Sequence, residues 1–102
     1  MKPVTVINRF VIKPDKIDEF IDTQRNFATA LMTTPSGLIG GRMYRSLDGK
    51  SAVLVSQFVS ESAQEEIRQS QAFKQHLSVV QPMVESAGPS LYEEAYTTGD
   101  FK

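Results

Sequence analysis

The sequence predicts an α+β fold in which two helical segments cover one face of a four-stranded antiparallel sheet, in the order β-α-β-β-α-β. Three observations predict it. A β-branched opening run, Val4–Ile12, is followed by a stretch whose apolar residues recur every three or four positions. The segment Gly37–Ser60 (GLIGGRMYRSLDGKSAVLVSQFVS) then reads as two strands around Asp48-Gly49, a strong short-range hairpin signal. A second stretch of helical periodicity and a final run, SLYEEAYT, complete the order. The arrangement is a split β-α-β motif, the ferredoxin-like sandwich.

The totals bound the possibilities. A chain of 102 residues suits one domain, 1–102. Apolar residues make up 40% and charged residues 23%, which fits a folded globular chain and not a disordered one. Lys and Arg number 11 against 12 Asp and Glu, with no basic run, so the electrostatic footprint of a nucleic-acid binder is missing. With no cysteine there is no thiol nucleophile, disulfide or thiolate metal site, and the compartment leans towards the cytosol. MKPVTV runs directly into a strand, so neither a signal peptide nor a membrane span is expected.

The first strand has two rows, Val4, Val6, Asn8, Phe10, Ile12 and Thr5, Ile7, Arg9, Val11. Asn8 is the one polar residue of its row, and its amide, if buried, needs a hydrogen-bond partner or a ligand. Lys13-Pro14-Asp15 ends the strand and starts a helix, with Asp15, Asp18 and Glu19 suited to its positive end. From Asp15 to about Thr33, Ile17, Phe20, Ile21, Phe27, Ala28 and Leu31 form an apolar stripe that Gln24 interrupts. Pro35 and Gly37 stop it.

Strands at Leu38–Leu47 and Ser51–Val59 follow, joined by a turn that needs φ > 0 at its central residues. Gly40-Gly41 suggests a bulge, which leaves the faces of Arg42 and Tyr44 open. Strand Ser51–Val59 alternates Ala52, Leu54, Ser56, Phe58 with Val53, Val55, Gln57, Val59, and neither row is clearly polar. A sheet with one wet face alternates more cleanly, so both faces are expected to be covered. Helices of the chain cover one face, and a second copy is the simplest supplier for the other.

Ser60 or Ser62 opens the next helix, the latter with a capping box Ser62-Ala63-Gln64-Glu65. A short turn carrying Ala63 and Ile67 meets a second start at Ser70. Phe73, His76, Leu77, Val80 and Val84 then line one side; Pro82 kinks or ends the run locally and Gly88-Pro89 closes it. Ser90–Thr97 is the fourth strand, near an edge.

These residues resemble the antibiotic biosynthesis monooxygenase family. The likeness runs from about Val4 to Tyr96 and rests on VINRFVIKPDKIDEF, GLIGGRMYRSLDG, VSQFVSESAQEEIRQSQAFKQHL and PMVESAGPSLYE. It implies a homodimer that closes as an α+β barrel. It also implies oxidation of a quinol- or anthrone-like aromatic substrate by O2 in the cytoplasm, with no flavin, haem or metal. In the family's polyketide oxygenases and haem degraders, an Asn on the first strand and a Trp on the third face the cavity between sheet and helices. This chain matches at Asn8 and departs at Phe58, and it contains no Trp. The haem degraders carry a His four residues after the Phe of a Ser-x-x-Phe helix start. That position is Leu77 here, and His76 stands one residue earlier, about 100° around a helix.

The resemblance marks Asn8 as a catalytic candidate, and His76 joins it as the only histidine, at the edge of an apolar helical stripe; Phe58, Phe73 and Leu77 are substrate-binding candidates. Asn8 would hold the substrate oxygen, Phe58 would form an aromatic wall, and His76 would take a proton. The plain alternatives are a hydrogen-bonded core amide, a core phenylalanine and a half-buried packing histidine. No His/Asp/Glu spacing suggests a metal site, and no Gly-x-Ser-x-Gly elbow suggests a hydrolase. A dimer that binds a small hydrophobic molecule without turning it over, or a haem-degrading enzyme, is the alternative function.

Overall fold

The structure is a computed structural model, describing residues 2–101. Strands β1 (Val4–Ile12), β2 (Leu38–Arg45), β3 (Ser51–Phe58) and β4 (Val84–Tyr92) form one antiparallel sheet in the order β2-β3-β1-β4. Helix α1 (Ile17–Met32) follows β1, and α2 (Glu61–Gln69) and α3 (Gln71–Val80) follow β3. This is the ferredoxin-like α+β sandwich that the sequence order implies. No helix among the described residues is long and apolar enough to cross a membrane.

Register sorts the side chains. In β1, Val4, Phe10 and Ile12 are buried, and in β3 so are Ala52, Ser56 and Phe58, which places the Asn8 and Phe58 rows together on the helix side. The other rows, Thr5, Ile7, Arg9, Val11 and Val53, Val55, Gln57, lie on the face that no helix of the chain covers. The expected bulge lies one residue before Gly40-Gly41: the β2–β3 register shifts between Leu38 and Gly40 and leaves Ile39 unpaired, while both glycines pair regularly. It leaves Met43 opposite Leu54 on the helix side, and puts Arg42 opposite Val55 and Tyr44 opposite Val53 on the open face.

Local chemistry sets the boundaries. Asp15 does not enter α1. It takes a left-handed φ of 64°, and the helix begins at Ile17 with Asp18 and Glu19 in its first turn. The hairpin turn differs from the expected one, because only Gly49 (φ 73°) is left-handed while Asp48 is not. Ser46 Oγ donates to Asp48 Oδ1 at 2.6 Å, and that carboxylate accepts from Lys50 N–H, so Asp48 serves as a brace with its carboxyl held below its ordinary value.

Ser60, not Ser62, caps α2, its Oγ accepting from Ala63 N–H at 3.1 Å. Ser70 breaks the helical run as foreseen. It accepts from Phe73 N–H as the N-cap of α3 and donates to the Ile67 carbonyl that ends α2. Gly37 (φ 83°) lets α2 approach, since a Cβ there would stand 2.6 Å from Ala63 Cβ.

The expectation for the C-terminal third is corrected. Pro82 ends the helical run in a 3-10 turn, Gln81–Met83, and β4 starts at Val84 instead of Ser90. Gly88-Pro89 therefore lies inside a strand, and Glu93–Thr97 is not strand. An edge strand accepts proline because its outer N–H groups need no ladder partner.

Candidate functional site

Two apolar clusters fill the ends of the layer between sheet and helices. One holds Phe10, Ile12, Phe20, Ala52, Val80 and Met83; the other holds Val4, Phe58 and Ile67, with Val6, Leu31, Leu38 and Phe73 packed against it. Between them lies a cavity of about 910 Å³. All five candidates from the sequence, Asn8, Phe58, Phe73, His76 and Leu77, line it. They do not stand in one cluster. Asn8 pairs across to Leu54 while Phe58 pairs to Val4, four residues along β1, a separation of roughly 13 Å at the usual rise of a strand. Phe58 closes one end, Asn8 lies mid-wall, and Leu77, 37% exposed, sits at the rim.

Asn8 is oriented by the strand misread from the sequence. Gly88 N–H of β4 donates to Asn8 Oδ1 at 3.1 Å. With its oxygen engaged, the amide has its NH2 group to offer a ligand.

His76 is buried (8% exposed) and held by two α1 residues that sequence reasoning did not single out as functional. Its Nε2 is hydrogen-bonded with Gln24 Oε1 across 52 residues of chain, and its ring stacks on Phe27 at 4.2 Å with planes 8° apart. Phe73 completes the aromatic group, 6.0 Å from Phe27 and 6.4 Å from His76. Burial pushes the His76 pKa below its ordinary value, so the imidazole is neutral at neutral pH. The interruption that Gln24 makes in the apolar stripe of α1 was the available signal. Its partner was not visible.

A groove between α2 and β4 runs alongside. Val6, Gln64, Arg68 and Pro89 line both groove and cavity, so the two meet there. Arg68 is braced by Glu65 at 2.8 and 3.0 Å. The Arg68 hydrogen bonds, then that of Gln69, hold the Glu65 carboxyl at about 2. Among the described residues no three His, Cys, Asp or Glu side chains converge to hold a metal ion.

The family profile for antibiotic biosynthesis monooxygenase matches residues 3–78. Among solved structures, SnoaB from Streptomyces nogalater, a cofactor-independent oxygenase, superposes with a TM-score of 0.85 at 19% identity, covering 98% of this chain and 100% of its own. Rv0793 from Mycobacterium tuberculosis gives 0.80 at 22% identity, covering 96% and 100%. A conserved protein from Methanosarcina mazei Go1 gives 0.80 at 17%, covering 92% and 94%. At these identities the likeness is one of fold. No curated protein matches the chain.

Proposed function

The chain belongs to the antibiotic biosynthesis monooxygenase family, and we propose that it is a cytoplasmic homodimeric monooxygenase that oxidises a quinol- or anthrone-like aromatic with O2, without flavin, haem or metal. The observation that carries this reading is the cavity of about 910 Å³, apolar over most of its wall, with the Asn8 amide and the neutral His76 imidazole among its polar groups. Cofactor-free oxygenation asks for little more. A base removes a proton from the substrate, and the resulting carbanion or phenolate gives one electron to O2. The radical pair then combines to a C–O–O⁻ adduct. Protonation of that adduct, loss of the remaining C–H proton and cleavage of the O–O bond yield C=O and water. In balance, a methylene group and one O2 become a carbonyl group and one water, and the substrate supplies all four electrons.

In this scheme His76 takes the first proton and the Asn8 NH2 holds the substrate oxygen where charge develops. Phe58, Phe73 and Leu77 shape the apolar wall. The likeness in fold to SnoaB, a cofactor-independent oxygenase, supports the class.

Oxygen uptake by the purified protein over a panel of quinols and anthrones tests the proposal. Turnover is expected without added flavin, haem or metal. Asn8→Ala is expected to lower kcat at least about tenfold, the equivalent of about 1.4 kcal/mol of transition-state stabilisation. Ligand affinity with no oxygen consumption would overturn catalysis in favour of a binding protein. A visible absorption band on adding haemin, lost with a reductant, would favour haem degradation.

The homodimer is supported by the open sheet face, where Ile7, Val11, Val53 and Val55 meet no helix of the same chain. Each such side chain taken out of water is worth roughly 1.5–3 kcal/mol. Light scattering is expected to give twice 11.4 kDa, and a stable monomer at micromolar concentration would overturn the dimer.

A further inference from the structure

A polar side chain that breaks an apolar helical stripe needs a reason, and Gln24 has one. We propose that Gln24 is a positioning residue for His76, its amide oxygen holding the imidazole in the tautomer protonated at Nε2, so that Nδ1 is the nitrogen presented to a substrate in the cavity. The inference rests on the reading above that His76 takes the substrate proton.

Two constraints converge on the ring. Gln24 and Phe27 are three residues apart on α1, so they share a face of that helix, and both reach His76 on α3. Phe27 stacking fixes the ring plane. The hydrogen bond to Gln24 then fixes which edge of the ring faces α1 and which nitrogen carries the proton, because an amide oxygen only accepts. Nδ1 makes no hydrogen bond with any of the described residues. Among the described residues, however, no fully buried side-chain nitrogen or oxygen lacks a partner. Nδ1 is therefore not sealed in the core, and the space beside His76 is the cavity it lines.

The charged side chains around that cavity are those of Arg25 of α1, Arg45 of β2 and Arg68 of α2, with no carboxylate among the lining residues; Arg42 of β2 also borders it, but its guanidinium is turned to the open face, where it donates to Tyr44 Oη. Arg25, Arg45 and Arg68 pair with Asp22, Asp18 and Glu65. The neutral amide is thus what steadies the imidazole. When Nδ1 accepts the substrate proton, the electron pair stays on the substrate. The imidazolium keeps its Nε2–H bond to Gln24, whose carbonyl dipole faces the new charge.

His76 is the chain's only histidine, so a long-range proton–nitrogen correlation spectrum of 15N-labelled protein reports one imidazole and its tautomer directly. The Nε2–H pattern is expected in wild type. Gln24→Leu is expected to give mixed tautomers and at least a tenfold fall in kcat with KM little changed. Gln24→Glu, which is isosteric, is expected to keep the Nε2–H tautomer and raise the His76 titration by about 1–3 units, moving the acid limb of the rate profile with it. An Nδ1–H pattern in wild type would overturn the proposal, as would a leucine variant unchanged in tautomer and kcat. The spectrum needs no substrate. A wild type inert towards every quinol and anthrone but holding Nε2–H would overturn the oxygenase reading and support the tautomer lock.

Discussion

Between the same sheet and the same helices, one end of this protein is packed solid and the middle is hollow. At the packed end Phe20 is fully buried with its ring 4.8 Å from Phe10, and Ile12, Ala52, Val80 and Met83 close around them. One and two turns further along α1, Gln24 and Ala28 line the cavity, with Asn8 and Ser56 on its sheet wall. Short and polar side chains replace large apolar ones from helix and sheet at once, and the layer cannot close. The difference shows how one fold divides its interior: bulky residues at one end hold the helices on the sheet, and the middle is left open as a cavity.

Substitutions at the two regions sharpen the contrast. The largest effect is expected at Phe20, where truncation removes a side chain with no exposure and leaves a hole its neighbours cannot collapse. Phe20→Ala should cost roughly 3–5 kcal/mol in urea unfolding. A loss below about 1 kcal/mol would mean that the packed end is not what holds the layers together.

A matched enlargement separates the regions more finely. Ala52 is 1% exposed inside the packed cluster, and Ala52→Leu should cost about 1–3 kcal/mol by overpacking. Ala28 lines the cavity, so Ala28→Leu should cost little stability, within about 0.5 kcal/mol, while lowering affinity for an aromatic ligand. Equal costs at the two alanines would break the comparison.

Much of the packed end was legible in the sequence because it is written in periodicity. Ile17, Phe20 and Ile21 on α1 and the alternating Phe10 and Ile12 on β1 point one way whatever their partners are. The hollow middle was legible only in part. Asn8 and His76 stood out as polar residues in apolar rows, and Gln24 stood out as an interruption, but the hydrogen bond joining Gln24 to His76 spans 52 residues and depends on how α1 and α3 pack. Phe27 read as core, and its stacking on His76 is likewise a product of packing. Strand β4 was misplaced for a different reason. Gly88-Pro89 carries a strong local stop signal, and only the sheet order, which puts β4 at an edge, permits it inside a strand. The orientation of Asn8 went unread with it, since its partner is Gly88.

The smallest expected effect lies in the hollow region and depends on pH. Burial depresses the pKa of His76 in the folded protein below the ordinary 6.5. As pH falls through 6.5 the unfolded chain therefore binds a proton before the folded one does. Unfolding then takes up protons, so the contribution of His76 to stability is fully present above about 6.5 and is lost as pH falls towards the depressed folded value. Glu65, depressed to about 2, and Asp48, also depressed, act in the same sense but only below the ordinary carboxylate range, so their contributions do not overlap this window. Melting temperatures from about pH 7.5 to about 5.5 should therefore fall for wild type and fall less for His76→Gln, which cannot titrate. Parallel curves for the two proteins would show that the cavity wall lets water reach the imidazole in the folded state, and that the hollow is wetter around His76 than its burial indicates.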